Sequence, residues 1–252
     1  MAYRMMCITA HPDDECAAFG GALLMAHAAG IETTVICLTD GQAGSHRGNA
    51  ASSEELAQIR REEFAAASEV LNITRGEVLH YPDGKLYKHD PTELISVLVE
   101  RIRQWRPQVV LTFGGEGGVN LHRDHTVASL AATAAFHWAG RCTIFPEQLD
   151  RGMHVYWPQK LYYVATPFLI VRSDEERANT CFTPYSLNLD LGAYAEKKLE
   201  AFEKHASQAA LLEKARAVLE EHMSVERYLL VAARGPQEVV ADESLFQGVV
   251  ED

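Results

Sequence analysis

Two short clusters in this chain combine histidine with carboxylate residues. The first, His11–Glu15, follows an apolar run near the start of the chain, and the second, His122–His125, lies near its middle. Imidazole nitrogens and carboxylate oxygens are ligands of zinc, and a carboxylate that binds no metal can act as a general base. Together, the clusters predict a hydrolytic metal site, provided that the fold brings them to one place.

The spacing within the clusters indicates which residues bind the metal. His11 and Asp14 are three positions apart where a strand is expected to turn into a helix, so their side chains can converge on one point. Pro12 fixes that bend because its ring locks φ. His122 and His125 are also three positions apart and share a face at a helix start. With His125 as third ligand, the site keeps an open position for water, which is the catalytic form of a zinc site.

The remaining polar residues of the clusters receive the other roles of a hydrolase. Zinc lowers the pKa of a bound water to ~7, and Asp13 can accept its proton. His122 would stabilise the oxyanion or protonate the leaving amine, and Asp124 would orient an imidazole. Fe²⁺ also accepts this mixture of ligands, so the residue types leave the choice between the two metals open.

Simpler readings exist for several of these features. An H-x-x-H pair by itself is usually incidental, and Glu15 can either cap a helix N-terminus or support a metal-binding residue from behind. The loop Gly114–Gly118 has no G-K-[ST] ending and predicts close backbone approach rather than phosphate binding. His46 and Arg47 can touch substrate or lie exposed in a loop. The aromatic group His154–Trp157 can form a lid over a sugar, or it can serve packing or oligomer contacts.

Alternating strands and helices must position the two clusters. The first half predicts strands at Arg4–Thr9, Glu32–Thr39, Glu77–Tyr81 and Gln108–Phe113, and helices at Cys16–Ala29, Ser53–Leu71, Pro91–Trp105 and from His122 to about Trp138. This alternation favours right-handed βαβ units in an α/β, Rossmann-like, doubly wound and mostly parallel sheet with helices on both faces. The polar clusters fall at the carboxyl ends of the strands, where sites of such sheets lie.

The second half of the chain is less regular. It predicts strands at Lys160–Ala165, Phe168–Val171 and Val225–Ala233, and a helical stretch over Leu191–Glu221 with a break near Ser207. We expect one domain over residues 1–252. Residues 1–140 would form its βαβ metal-binding core, and residues 141–252 a substrate or lid part with C-terminal helices.

Composition excludes several classes of partner. The 252 residues carry a formal net charge of −12, which disfavours a nucleic-acid partner. No apolar run reaches the ~20 residues of a membrane span, and the first strand begins too early to leave room for a signal peptide. The 5 cysteines show no C-x-x-C spacing, and three lie in apolar segments. We therefore expect a cytoplasmic protein in a reducing compartment.

Several motifs resemble those of one known family. Ala10–Glu15 and Asn120–His125 resemble motifs of the LmbE-like, or PIG-L, superfamily of zinc-dependent N-deacetylases. Thr39–Gly44 resembles the family's T-D-G-E-A-G loop, and Arg60 and Glu63 resemble its R-x-x-E helix. Pro82–Gly84 resembles its D-G turn, and the stretch from Lys198 to His205–Gln208 resembles its K…H-x-S-Q segment. The resemblance implies an LmbE-like fold and hydrolysis of the N-acetyl group of a small N-acetylglucosamine derivative.

The resemblance also implies roles for individual residues. It assigns zinc to His11, Asp14 and His125, the base to Asp13, and transition-state contacts to His122. Sugar contacts are implied for Arg60 and Asp83, and a substrate contact for His205.

This chain departs from the family pattern at Gln42, Leu121 and Arg123, which border the substrate and leave its identity open. Two rival functions remain: zinc hydrolysis of a non-sugar amide, and a metal- or nucleotide-binding module without catalysis. The sequence leaves open whether the protein forms a homo-oligomer.

Overall fold

The computed structural model describes residues 3–166, 173–235 and 244–248. Within these ranges the strands are β1 Arg4–Thr9, β2 Glu32–Thr39, β3 Arg75–Tyr81, β4 Val109–Phe113, β5 Lys160–Val164, β6 Leu187–Asp190 and β7 Val225–Ala233. The α-helices are α1 Asp14–Ala17, α2 Gly20–Ala28, α3 Ser53–Leu71, α4 Pro91–Trp105, α5 Arg123–Trp138, α6 Pro146–Asp150, α7 Asp174–Asn179, α8 Tyr194–Glu203 and α9 Ala209–His222. The expected strand Phe168–Val171 lies outside the described residues.

The strands of the described residues form one sheet in the order β3-β2-β1-β4-β5-β7-β6. The first five of these are parallel to their neighbours, and β7 runs antiparallel between β5 and β6. This confirms the Rossmann-like, mostly parallel sheet. The strand β1 pairs with β2 on one side and with β4 on the other, so the chain order reverses there. Ligands of doubly wound sheets bind beyond the carboxyl ends of the strands at such a reversal.

The helices divide into two packing groups. One group contains α1, α2 and α3, which pack with α8, and the other contains α4 and α5, which pack on each other. The connections from β1 through β2 to β3 run one way along the sheet, and those from β3 through β4 to β5 run the other way. Right-handed crossovers that run in opposite directions place their helices on opposite faces of the sheet. Both faces of β1 are therefore covered, which agrees with the complete burial of Met5–Ile8. Cys7, Cys16 and Cys37 are buried as small core residues.

Most of the helix and strand limits expected from the sequence agree with the structure. The prediction of one continuous helix over Cys16–Ala29 was wrong, because α1 and α2 are separated at Phe19, whose φ of −129° leaves the helical range. The carboxylate of Glu226 accepts hydrogen bonds from the amides of Gly21 and Ala22 and thereby starts α2 afresh. The expected break near Ser207 is confirmed by a 3-10 turn between α8 and α9.

The segment that follows α5 is tied down by a single buried guanidinium. Arg103 donates to the carbonyls of Ala139, Arg141, Ile144 and Phe145 and to the side chain of Gln148. A fixed fork of donors suits such a cluster of carbonyl oxygens.

In the part of the chain that the structure describes, no helix combines the length and the apolar character needed to cross a membrane.

Candidate metal centre

The two polar clusters lie side by side at the carboxyl ends of the neighbouring strands β1 and β4. His11 follows β1 by two residues, and Asp14 is the first residue of α1. His125 lies in the first turn of α5, which is reached from β4 through a glycine-rich loop. The parallel pairing of β1 with β4 therefore brings together residues that are 114 positions apart.

Three side chains converge closely. Nδ1 of His11 lies 3.2 Å from Nε2 of His125, and Nε2 of His125 lies 3.2 Å from Oδ1 of Asp14. Nδ1 of His11 and Oδ2 of Asp14 are 3.6 Å apart. Oδ2 of Asp14 also accepts the amides of Ala10 and His11, which fixes the carboxylate in the turn. We name His11, Asp14 and His125 the ligand triad.

The hydrogen bonds around the ligand triad leave lone pairs facing one another. Nδ1 of His125 is 3.0 Å from the carbonyl oxygen of Gly117, which can only accept, so the neutral ring has its lone pair on Nε2. Nε2 of His11 lies 3.0 Å from Asp83 and 3.5 Å from Asp124, and two carboxylates favour a proton there. The lone pair of His11 is then on Nδ1. When both rings are neutral, two nitrogens and the Asp14 carboxylate thus present electron pairs to each other, an arrangement that fits a bound cation.

The carboxylates behind His11 complete this arrangement. Asp124 is fully buried and accepts the amides of Gly84 and Leu86, while Asp83 accepts the amide of Ala43. A carboxylate behind a histidine ligand fixes its tautomer and raises its basicity. The sequence anticipated such a contact for Asp124 but assigned Asp83 to the sugar. The D-G turn follows the carboxyl end of β3, and His11 follows the carboxyl end of β1. Because these ends lie on the same side of a parallel sheet, the sequence could have indicated a contact between Asp83 and His11.

Asp13 has an unusual backbone conformation beside the ligand triad. Its φ is +124° with ψ −27°, which is strained for a residue with a side chain. Strain of this kind costs on the order of 1–3 kcal/mol and persists only where the surroundings enforce it. The amide of Asp13 donates to Oε2 of Glu15 at 2.9 Å, and its Oδ2 lies 2.7 Å from Nη2 of Arg60. The same guanidinium donates to the carbonyl of Pro12.

Burial and neighbouring charges shift the acid–base properties of both carboxylates. Burial raises the pKa of Asp13 to about 6, although the positive charge of Arg60 opposes that rise. Burial also acts to raise the pKa of Asp14, but His125 and His11 outweigh it and hold this pKa well below the usual value. For His11, burial is outweighed by Asp124, Asp14 and Asp83, which raise its pKa well above the ordinary value.

His122 lies next to the ligand triad as the N-cap of α5. Its Nδ1 accepts the amide of Asp124 at 3.2 Å, so the proton of the neutral ring is on Nε2. Burial, reinforced by His11 and His125, lowers the pKa of His122 to about 4. One nitrogen each of His122, His11 and His125 lies within 4.8 Å of the others, so the three imidazoles form a second candidate ligand set.

The glycine-rich loop after β4 brings backbone close to His125, as the sequence predicted. Gly117, at φ +98°, has no room for a Cβ, because one would lie 2.7 Å from the carbonyl oxygen of His122. That close approach lets the Gly117 carbonyl accept from His125. The ring of Phe113 stacks on His125 with centroids 4.1 Å apart and fixes its plane.

Arg60 and His205, both expected to contact substrate, are buried against residues of the first cluster. Arg60 is 3% exposed, and its guanidinium packs on Gly41, where a Cβ would lie 2.5 Å from Nη1. His205 is 1% exposed, and its Nε2 lies 2.6 Å from Oε1 of Glu15. Neither side chain therefore offers a substrate more than a small surface.

Two further segments were left open by the sequence. Tyr156 is buried under Arg106, with the guanidinium carbon 4.7 Å from its ring centre, beside the amino ends of β4 and β5. The aromatic group His154–Trp157 thus lies at the amino ends of the strands, away from the ligand triad, which disfavours a lid; Tyr156 serves packing, while His154 and Trp157 are exposed. In the long loop after β2, the carbonyl of His46 accepts from Gln208.

Comparisons with known proteins show what this chain is similar to. The family model for PIG-L, GlcNAc-PI de-N-acetylase, matches residues 6–136. The chain is 30% identical to the mycothiol S-conjugate amidase of Streptomyces coelicolor over 179 residues, which cover 64% of this chain and 60% of that protein. It is 27% identical to the probable N-acetyl-alpha-D-glucosaminyl L-malate deacetylase 2 of Bacillus anthracis over 209 residues, which cover 82% of each.

A solved structure supports the fold independently. The N,N'-diacetylchitobiose deacetylase from Pyrococcus horikoshii matches 91% of this chain and 84% of its own with a TM-score of 0.76. Its sequence identity of 22% means that this match carries the fold alone.

Proposed function

Because this chain belongs to the PIG-L family of GlcNAc-PI de-N-acetylases, we propose that it is a metal-dependent hydrolase that removes the acetyl group from a small N-acetylglucosamine derivative. The observation that carries this proposal is the ligand triad with the carboxylate of Asp13 held beside it by Arg60. Amide hydrolysis needs both features, because it uses donors that can hold a metal and a separate base that moves the proton.

Zinc is the metal that we propose for the ligand triad. His11, Asp14 and His125 would hold it, since two nitrogens and one oxygen are the donor set of catalytic zinc sites. When bound, zinc polarises the amide carbonyl and lowers the pKa of water. The same donors accept Fe²⁺, so metal analysis of the isolated protein must include both ions. Asp14 is preferred over His122 as third ligand because its charge lowers the cost of binding a dication.

Asp13 and His122 would divide the proton transfers and the charge stabilisation. Asp13 accepts a proton from the attacking water, and its pKa of about 6 keeps it ionised at neutral pH yet basic enough for the task. His122, whose pKa of about 4 makes it neutral, would donate a hydrogen bond from Nε2 to the developing oxyanion. Asp13 can then deliver its proton to the leaving amine. Asp124 would hold His11 in the tautomer that leaves Nδ1 available.

The sugar specificity is the least direct part of the proposal. It is supported by the relative named as an N-acetyl-alpha-D-glucosaminyl L-malate deacetylase, which matches 82% of this chain. Another relative is named an amidase, which favours testing larger amides as a second candidate class. Asp83 remains a proposed sugar contact next to its contact with His11, and Arg60 remains one through its small exposed surface.

The test is amine release from a panel of substrates by the zinc-loaded protein. The panel contains N-acetylglucosamine glycosides with different aglycones, simple N-acetylated amines, and amides with larger acyl groups. We expect kcat/KM to be about 5- to 30-fold higher for the glycosides, as one or two sugar hydrogen bonds of about 1 kcal/mol each would produce. Preference for a simple amine or a larger acyl group supports the second class, and no amine release from any substrate overturns the proposal.

A further inference from the structure

We propose that Glu15 and His205 form a buried support that holds the backbone of Asp13 in the orientation needed for proton transfer. Both would be positioning residues, and neither would touch the substrate. The inference rests on the proposed role of Asp13 as the base. It assigns a function to the last residue of the first cluster and replaces a substrate contact by a supporting one for His205.

The contacts form a chain from His205 to Asp13. Nε2 of His205 lies 2.6 Å from Oε1 of Glu15, and both side chains have no exposed surface. The other oxygen of Glu15 accepts the amide of Asp13 at 2.9 Å. The thiol of Cys16 also donates to Oε1 at 3.2 Å, so both carboxylate oxygens have partners. Glu15 is therefore locked in one position from which it binds the Asp13 amide.

The conformation of Asp13 explains why such a support is needed. At φ +124° the residue lies in a region that L side chains rarely adopt. Its carbonyl oxygen already accepts the amides of Cys16 and Ala17 and starts α1. Its own amide has no place in the helix, and Glu15 satisfies it in the manner of a capping side chain. If this bond is lost, Asp13 can relax to an ordinary conformation that turns its carboxylate away from the ligand triad.

The support is anchored on the same helix that holds the Asp13 carboxylate. Glu63 on α3 accepts the amide of Ser207 at 2.6 Å and its hydroxyl at 2.7 Å, which fixes the turn that carries His205. Arg60, one turn earlier on α3, contacts Asp13 directly. Asp13 is thus held at its backbone through Glu15 and at its carboxylate through Arg60.

A double-mutant cycle on the amide substrate tests the inference. Glu15→Ala is measured in the native protein and in an Asp13→Asn background. We expect kcat to fall by about 10- to 100-fold in the native protein, with KM and bound metal unchanged within about threefold. In the Asp13→Asn background the same change should cost less than about threefold, because its effect acts through the Asp13 carboxylate. Equal losses in both backgrounds, or no loss in the native protein, overturn the inference.

Three further variants separate positioning from general destabilisation. Glu15→Gln keeps an oxygen for the Asp13 amide and should restore most of the lost kcat, while His205→Gln should fall between the native protein and Glu15→Ala. The matched control is Glu226→Gln, which alters another buried carboxylate. Glu226 accepts from Lys198 at 2.7 Å and does not contact Asp13. It should lower thermal stability without lowering kcat. A Glu15→Gln variant as impaired as Glu15→Ala contradicts the inference.

Hydrogen exchange of the Asp13 amide in metal-free protein gives a readout that needs no activity. We expect exchange of this amide to be slow in the native protein and in Glu226→Gln, and at least about tenfold faster in Glu15→Ala. Unchanged exchange in Glu15→Ala overturns the support. If the native protein releases no amine from any substrate, the proposed function fails, and the exchange result still decides whether Glu15 holds the Asp13 backbone.

Discussion

Nδ1 of His11 and Nε2 of His125 face each other at a distance of 3.2 Å. Each ring has its other nitrogen next to an acceptor, Asp83 in one case and the Gly117 carbonyl in the other. The facing nitrogens therefore both carry lone pairs when the rings are neutral, and a cation removes their repulsion. This relationship leads directly to the first two predictions.

His125→Ala should abolish stoichiometric metal binding, because it removes one of the three donors of the ligand triad. His122→Ala should retain the metal and lose activity instead. Elemental analysis of the purified variants checks both. The matched control is His137→Ala, an exposed histidine in the last turn of the same helix α5, which should retain metal and activity. A His122→Ala protein without metal would assign the third ligand position to His122 rather than to Asp14.

Removal of the metal should destabilise the protein. A ligand present at 100 times its Kd stabilises the native state by about 2.7 kcal/mol, which corresponds to a Tm shift of roughly 5–10 °C for a chain of this size. Thermal unfolding with and without a chelator measures the shift, and added zinc should reverse it. In His125→Ala the chelator should have no effect; a similar shift in that variant would place the stabilising metal elsewhere.

Asp13→Asn should retain bound metal and lose turnover by about 10²- to 10⁴-fold, because an amide cannot accept the proton of the attacking water. The measurement is kcat for amine release together with elemental analysis. The variant keeps the size of the side chain, so the ligand triad is left in place. Turnover at the native rate would remove Asp13 from the mechanism.

Gly41→Ala should displace Arg60 and thereby lower kcat. A Cβ at this position would come within 2.5–2.8 Å of the Arg60 side chain, whose guanidinium holds Asp13. Gly30→Ala is the matched control, since Gly30 also has a positive φ, +74° against +66°, but has nothing within 4 Å of an added Cβ. Gly30→Ala should lose only the thermal stability that a side chain at positive φ costs, whereas Gly41→Ala should lose kcat as well, by about tenfold or more. Equal kcat in both would separate Arg60 from catalysis.

The pair of His205 with Glu15 should make stability depend on pH. Burial acts to lower the pKa of His205, but Glu15 outweighs it and raises this pKa above the ordinary value. Since the folded pKa is the higher one, the stabilisation is complete below the unfolded pKa of about 6.5 and is lost as pH rises through the folded value. The free energy of unfolding of chelated native protein should therefore exceed that of His205→Gln most at pH 6 and less at pH 9. A difference that grows with pH would contradict this assignment.

The fold and the ligand triad could be predicted because their signals are local. Apolar strands, helix caps such as Ser52 on α3 and Asp90 on α4, and the residue types of the two clusters are all readable from short stretches. A mostly parallel sheet then places the carboxyl ends of β1 and β4 on the same side, and the pairing of these two strands in the folded sheet brings His125 next to His11.

Only the tertiary structure decided what surrounds the ligand triad. Arg60, Asp83 and His205 were all expected to contact substrate, yet each is buried against a residue of the first cluster. Sequence patterns predict that a side chain lies at the carboxyl ends of the strands, but they do not predict which way it points there. That direction depends on packing between distant elements, such as the seat that Gly41 provides for the Arg60 guanidinium. The sequence by itself thus determined the fold class and which polar residues gather at the carboxyl ends of the strands, while long-range packing decided how Asp13 is held beside the ligand triad.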